Sequence, residues 1–336
     1  DASILYEAHP HIGTNKLPHI IEGIREEILR CGGEIYFQSK LTDVRIQSDQ
    51  ITHIHINNQD SIPVRQVVLA TGHSASDIYE LCARKQIRIE AKPFAMGLRV
   101  EHPQALIDEI QYHGQQHHCQ LPPASYRWVE QVGHHGVFSF CMCPGGIIAP
   151  ASTQQNALVV NGWSPSRRNN VFANSGIVVS VGTELINSPH PLAGLHLQRK
   201  LEQDAFRMGG GKFVAPAQRL TDFIEGKCSS SLPPCSYHPG LQAVSLQELL
   251  PSYMYSSLAV AFRQTAAKMK GYMTKEAVVV ALESRTSSPV RIPRDPSTLQ
   301  HIQIKNLYPC AEGAGYAGGI VSAAMDGIRV ADKIAG

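Results

Sequence analysis

Apolar residues at Leu17, Ile20, Ile21, Ile24 and Ile28 recur at helical spacing, so Leu17 to Arg30 is predicted to be an amphipathic helix. Gly32-Gly33 stops it. Short strand-like runs follow at Glu34–Gln38, Leu41–Gln47, Ile51–Asn57 and Ile62–Leu69. Ile51-Thr-His-Ile-His-Ile56 has the β-branched content of a strand, and Asn57-Asn-Gln-Asp60 reads as the turn after it. Val67-Val-Leu-Ala-Thr-Gly72 reads as a buried strand ending on glycine. The order of helix, meander and strand suggests a meander hanging off a doubly wound sheet that the last strand re-enters. Ser74 to Lys85 is expected to be a short helix, with Ser74 or Ser76 as its cap and Asp77 in its first turn.

After Lys92-Pro93 the pattern changes. Phe94–Glu101, Tyr126–Val132, Val137–Cys143, Ala157–Gly162 and Ile177–Val181 read as antiparallel strands joined by polar loops. Helices are expected at Leu192–Met208 and Tyr253–Lys270. Glu283–Asp295 returns in extended form, Ile302–Tyr308 reads as a strand, and Gly319–Asp332 as a closing helix. The expected fold class is α/β: an incomplete doubly wound, Rossmann-like domain from residues 1–92 and 287–336, carrying an inserted β-rich α+β domain over 93–286.

At 336 residues, two domains are the prior. Lys and Arg number 30 against 28 Asp and Glu, a net charge of +2 that is too balanced to argue for nucleic acid or an anionic membrane. No apolar run approaches the roughly 20 residues that span a bilayer. Asp1-Ala-Ser-Ile-Leu-Tyr-Glu has neither an initiator Met nor the basic-then-apolar pattern of a secretory signal, and Asp1 is expected to lie inside a longer chain. Eight cysteines without a secretory cue suggest reduced thiols and a cytoplasmic protein.

Gly313-Ala-Gly-Tyr-Ala-Gly318 has the spacing of a dinucleotide-binding loop, with a strand-like run before it and a helix-like run after. Gly318 lies only 18 residues from the C-terminus, which leaves no room for the second strand and its acidic residue about 20 positions on. The loop can still let backbone approach a ligand and offer free helix N–H groups, or it can be a tight helix start packed on a sheet. Ala70-Thr71-Gly72 is equally readable as a strand end beside a ligand or an ordinary strand-to-loop glycine. Arg285 and Arg291 lie in one extended run and are expected to share a face, as an anion clamp or as a solvated basic strand. Arg99, Glu101 and His102 are weaker candidates for substrate contact. Cys141 and Cys143, two apart on a strand, point to one side; buried free thiols are favoured over a redox pair. The run from His113 to Cys119 lacks the spacing of a zinc site, and no metal is expected.

Six stretches together resemble the FAD-dependent dehydrogenase family of two-dinucleotide-fold flavoproteins, whose similar members are usually described as uncharacterised NAD(FAD)-utilising dehydrogenases. They are His11–Leu17, Val68–Ser74, Pro93–Pro103, Phe138–Gly146, Glu283–Arg291 and Tyr308–Gly319. The resemblance implies an FAD-binding domain (1–92 and 287–336) around a substrate domain. The adenosine-binding fingerprint of such proteins would lie before Asp1. It implies FAD contacts at Ala70, Thr71, Gly72, Glu312, Gly313, Gly315, Gly318, Gly319 and Ile320, with the last helix start facing the flavin pyrimidine edge and Glu312 bonding the ribityl or phosphate side. It also implies a small-molecule substrate and NAD(P)H as a candidate electron donor. No general base stands out; His11 and His73, with Arg285 and Arg291, are the catalytic candidates. The alternatives are a non-catalytic fragment that cannot hold FAD and an RNA-modifying flavoprotein, against which the balanced charge argues.

Overall fold

The computed structural model describes residues 11–114, 121–186 and 188–336. In chain order, α1 (Leu17–Arg30) precedes β1 (Leu41–Gln47), β2 (Gln50–Ile56), β3 (Asp60–Pro63), β4 (Val67–Leu69) and α2 (Ser76–Arg84). Next come β5 (Glu90–Ala91), β6 (Phe94–Pro103), α3 (Gln104–Tyr112), β7 (Val129–Val132), β8 (His135–Cys143), β9 (Ile147–Pro150), β10 (Val160–Trp163) and β11 (Phe172–Val181). The chain continues through α4 (Ala193–Met208), β12 (Ala215–Arg219), α5 (Leu220–Glu225), β13 (Leu241–Ala243), α6 (Ser252–Lys268) and β14 (Val278–Glu283). It ends with β15 (Val290–Arg291), β16 (Leu307–Pro309) and α7 (Ile320–Ala335). The fold is mixed α/β. It divides into one unit of Asp1–Ile35, Gly97–Val179 and Leu201–Glu283, and a second of Tyr36–Met96, Ser180–Lys200 and Ser284–Gly336.

The first unit is organised by a seven-stranded mixed sheet in the order β13-β12-β14-β6-β11-β8-β7. β12 and β13 pair in parallel, whereas β14 is antiparallel to both β12 and β6, and β8 to both β11 and β7. β14 is buried at every position, and β6 at all but its last. Strands buried on both faces lose the two-residue alternation of an amphipathic strand, which is why Val278–Glu283 did not stand out in the sequence. Trp128, Phe223, Phe262 and Tyr272 pack edge-on and stacked into an aromatic cluster.

The polar residues of β6 are interior fixtures. Arg99 forks onto Glu283 at 2.7 and 2.8 Å. Glu101 accepts the Ser236 amide at 2.7 Å. His102 Nε2 lies 2.8 Å from the Tyr272 carbonyl, and burial pushes its pKa down to about 4. None of the three is free to meet a substrate, contrary to the expectation from sequence.

The second unit holds the antiparallel meander β1-β2-β3, the parallel pair β16-β4 and the short pair β15-β5. Its core gathers Val44, Ile51, Leu69, Ile78, Tyr79 and Leu307 with their neighbours. α7 buries only Asp326 and Val330. Ile320, Val321, Met325 and Ile328 are all at least 60% exposed, so its most apolar stripe faces solvent. α1, in the first unit, likewise buries none of its residues.

Several expected strands shrink. Glu34–Gln38 is mostly turn and loop, not strand. Of Ile302–Tyr308 only the end is strand, because His301 Nδ1 accepts the Gln303 and Ile304 amides and curls the segment into a turn. Glu283–Asp295 keeps only Val290–Arg291 as a named strand after β14 ends.

The tightest test of this packing is Gly97 on β6. A Cβ there would sit 2.0 Å from the Ile177 carbonyl oxygen, a backbone atom that cannot rotate away. Gly97→Ala is expected to destabilise the protein by about 2 kcal/mol or more through overpacking. Urea unfolding should show a lower midpoint at an unchanged slope.

Candidate functional site

The second unit brings two glycine-bearing turns side by side. β4 and β16 run parallel in register, with Val67 beside Leu307, Val68 beside Tyr308 and Leu69 beside Pro309. The Cys310 amide extends the ladder by donating to the Leu69 carbonyl at 3.0 Å. Both chains therefore leave the sheet at the same end, where ligands of parallel α/β sheets bind. From β4 the chain turns through Ala70, Thr71 and Gly72; from β16 it turns through Ala311 to Gly319.

Glycine is required where these turns touch. A Cβ on Gly313 would stand 2.7 Å from the Gly72 carbonyl oxygen, so the two backbones pack directly on each other. Gly72 and Gly315 have φ of 76° and 83°, and Gly315 is buried against Lys92 and Val290. On the other side the site is open. Added Cβ atoms at Gly72, Gly318 and Gly319 would meet nothing within 4 Å, which leaves room for a ligand to approach the backbone. The start of α7 has no side-chain cap, and the Gly318 amide reaches only Ser322 Oγ, at 3.3 Å. The amides of the first turn thus retain their donor capacity and the positive end of the helix dipole.

Side chains fix this arrangement from behind. Tyr79, buried on α2, donates its hydroxyl to the Gly313 carbonyl at 2.9 Å and lies 2.9 Å from Ser288 Oγ; burial pushes its pKa up to about 12. Asp326 on α7 accepts a fork from Arg294 at 2.9 and 2.6 Å and the Ala311 amide at 2.8 Å. Arg294 also donates to the Pro309 carbonyl at 2.7 Å and lies 4.0 Å over the Tyr316 ring. One buried ion pair therefore ties the end of β16, the turn and the last helix together. Burial opposes ionisation of Asp326, but Arg294 and the Ala311 amide outweigh it and hold the carboxyl below its usual range.

His73 and Glu312 face each other across the two turns, with Nδ1 2.8 Å from Oε2. Both side chains are about one-quarter exposed or less. Lys92 stands beside Gly315; burial, helped by Arg291, depresses its pKa. Arg291 is exposed and lies 5.5 Å over Tyr316, while Arg285 is buried. They do not share a strand face, because the chain between them is not extended β. His11 belongs to the first unit, where Nε2 lies 3.0 Å from the Pro165 carbonyl.

The sequence reading missed Tyr79, Ser288, Lys92 and Asp326. Only Asp326 left a signal, as a carboxylate within the apolar first half of the last helix. Of the His113–Cys119 run, residues 115–119 lie outside the described residues. Among the described residues no group of three His, Cys, Asp or Glu could hold a metal, and no helix is long and apolar enough to cross a membrane.

A family model for the FAD-dependent protein, C-terminal domain-like, matches residues 93–286. An uncharacterised protein of Clostridium beijerinckii is 42% identical over 99% of this chain, and the chain spans 63% of that relative's length.

Asp326→Asn is expected to cost about 3 kcal/mol, since it leaves Arg294 buried without its counter-charge. The pair's contribution is full above the unfolded carboxyl value near 3.8 and is lost as pH falls through the lower folded value. Urea titrations across that acid window should show a steeper decline in the wild type than in the variant.

Proposed function

This chain belongs to the family of FAD-dependent proteins defined by that C-terminal domain, and from that premise we propose that it serves a flavin-dependent oxidoreductase. The turns after β4 and β16 are the flavin-facing surface in this reading. The observation that carries it is the open, uncapped start of α7 beside two glycine turns at the carboxyl ends of adjacent parallel strands. The residues fit the group: glycines leave open backbone where a ligand would lie, and the side chains behind them are already partnered.

In this proposal the amides of Gly318, Gly319 and Ile320 would hold the flavin through its pyrimidine edge. Ala70, Thr71, Gly72, Gly313 and Gly315 shape the turn walls. Glu312, one of whose oxygens is engaged by His73, offers the other to a ribityl or phosphate-side hydroxyl. Lys92 and Arg291 add positive potential beside the turn. FAD supplies the acceptance of hydride or electrons, and the protein orients it and tunes its charge. His73 is the residue placed to hold a proton. Around this surface we propose a Rossmann-like FAD domain that carries 93–286 as an inserted substrate domain, with a small molecule and NAD(P)H as reaction partners.

The test is a titration with FAD, followed by flavin fluorescence, of this chain and of the Clostridium beijerinckii relative. Saturable quenching is expected. Ile320→Pro removes one donor at a helix position that tolerates proline, so α7 should persist while affinity falls about fivefold to tenfold. Absence of saturable quenching in both proteins would overturn the reading, as would unchanged affinity in the variant.

A further inference from the structure

Within the first unit, β8 breaks its pairing with β11 at an unusual place. Asn174 stands opposite Cys143 and Gly176 opposite Phe140, so β8 carries one residue more than its partner between those points. That residue falls at the bulge around Cys141, whose φ of 48° is left-handed, a conformation uncommon outside glycine. A regular strand would hold the two cysteine side chains roughly 6–7 Å apart on one face. The bulge instead turns Cys143 Sγ back onto the backbone of Cys141, 3.4 Å from its carbonyl oxygen, and leaves Cys141 exposed while Cys143 is buried.

The surroundings are built for close approach. Cys143 Sγ donates to the Cys141 carbonyl at 3.4 Å, and the wholly buried Arg99 donates to the same carbonyl at 3.2 Å. Arg99 is held by Glu283, Asn174 and Asn161. A Cβ on Gly162 would strike Arg99 Nη1 at 2.2 Å and Cys143 Sγ at 2.6 Å, so glycine is what leaves space for guanidinium and thiol together. The charged groups facing the thiols are Arg99 and Glu283, with the Tyr126 hydroxyl near Cys143. Interaction with the neighbouring Cys143 thiol, opposed by burial and aided by Arg99, lowers the Cys141 pKa; the same interaction, together with burial, raises that of Cys143.

We propose that Cys141 and Cys143 are a redox-active dithiol that reduces accessible disulfides by thiol–disulfide exchange. The Cys141 thiolate attacks one sulfur of the substrate disulfide. The substrate S–S bond breaks, one thiolate leaves, and a mixed disulfide forms on Cys141. Cys143 then gives its proton to solvent, attacks Cys141 Sγ and displaces the second thiolate, which leaves a Cys141–Cys143 disulfide. Two electrons pass to the substrate, and its two thiolates take up protons from solvent. A bridge between residues two apart closes a small ring, so it is readily reopened by an external dithiol, which restores the pair.

Incubating the reduced chain with glutathione disulfide at neutral pH, quenching with acid and mapping peptides by mass tests this. The wild type should lose two hydrogens in the peptide spanning Cys141 and Cys143. Cys143→Ser should trap one glutathionyl group on Cys141. Because that substitution alters a buried position, a second readout uses the unaltered protein: Cys141 should react with iodoacetamide about tenfold faster at pH 7 than the exposed Cys31 and Cys228. Cys141 reacting no faster than those two, with no internal link formed, would overturn the proposal and leave the sulfurs as packing around Arg99.

Discussion

Three residues of β4 pair in parallel with three of β16, although most of the chain lies between them in sequence. Parallel pairing forces both strands to end on the same side, and everything notable in the second unit follows from that. The turns that leave the strands have to share one edge, and at their contact Gly313 has no room for a Cβ while Gly72 takes a left-handed φ. So short a ladder would be weak alone. It is reinforced by the Asn306 side chain, which bonds both the amide and the carbonyl of Ile51 and the Arg65 carbonyl, and by the Arg294–Asp326 pair.

The first unit solves a different problem. Its central strands are buried on both faces, yet β6 carries an arginine, a glutamate and a histidine within four residues, Arg99 to His102. Each has a partner of matching chemistry, so the cost of taking polar groups out of water is offset by bonds made inside. Arg99 is the extreme case: five hydrogen bonds to Glu283, Asn174, Asn161 and the Cys141 carbonyl account for its donors. Such a group fixes the register of four strands, since a one-residue slip would strand the charge.

How much was legible in the sequence follows the same physics. α1, β1, β2, α4 and α6 were readable because one side of each differs chemically from the other. β12 and β14 were not, since burial on both faces erases alternation, and Pro216 further disguises β12. The glycine loop and Ala70-Thr71-Gly72 were visible as local motifs, but their meeting depends on a pairing between distant segments that no window reveals. Tyr79 and Ser288 were invisible for the same reason: each looks ordinary until the fold sets its hydroxyl beside the turn. The spacing of Arg285 and Arg291 implies an extended run, but the chain bends between them around Ser287-Ser288-Pro289. Cys141 and Cys143 were placed correctly on a strand, but the bulge that changes their spacing has no signature in a run of large residues.

α7 adds one consequence of its own. Its inner side is held by a carboxylate and a valine, while isoleucine, valine and methionine line its outer side. A stripe of that kind is costly to hydrate and adheres to whatever apolar surface comes within reach. Detergent, salt and protein concentration therefore become variables of the molecule's behaviour, and crowding of these helices against one another is the first thing to watch for when it is handled alone.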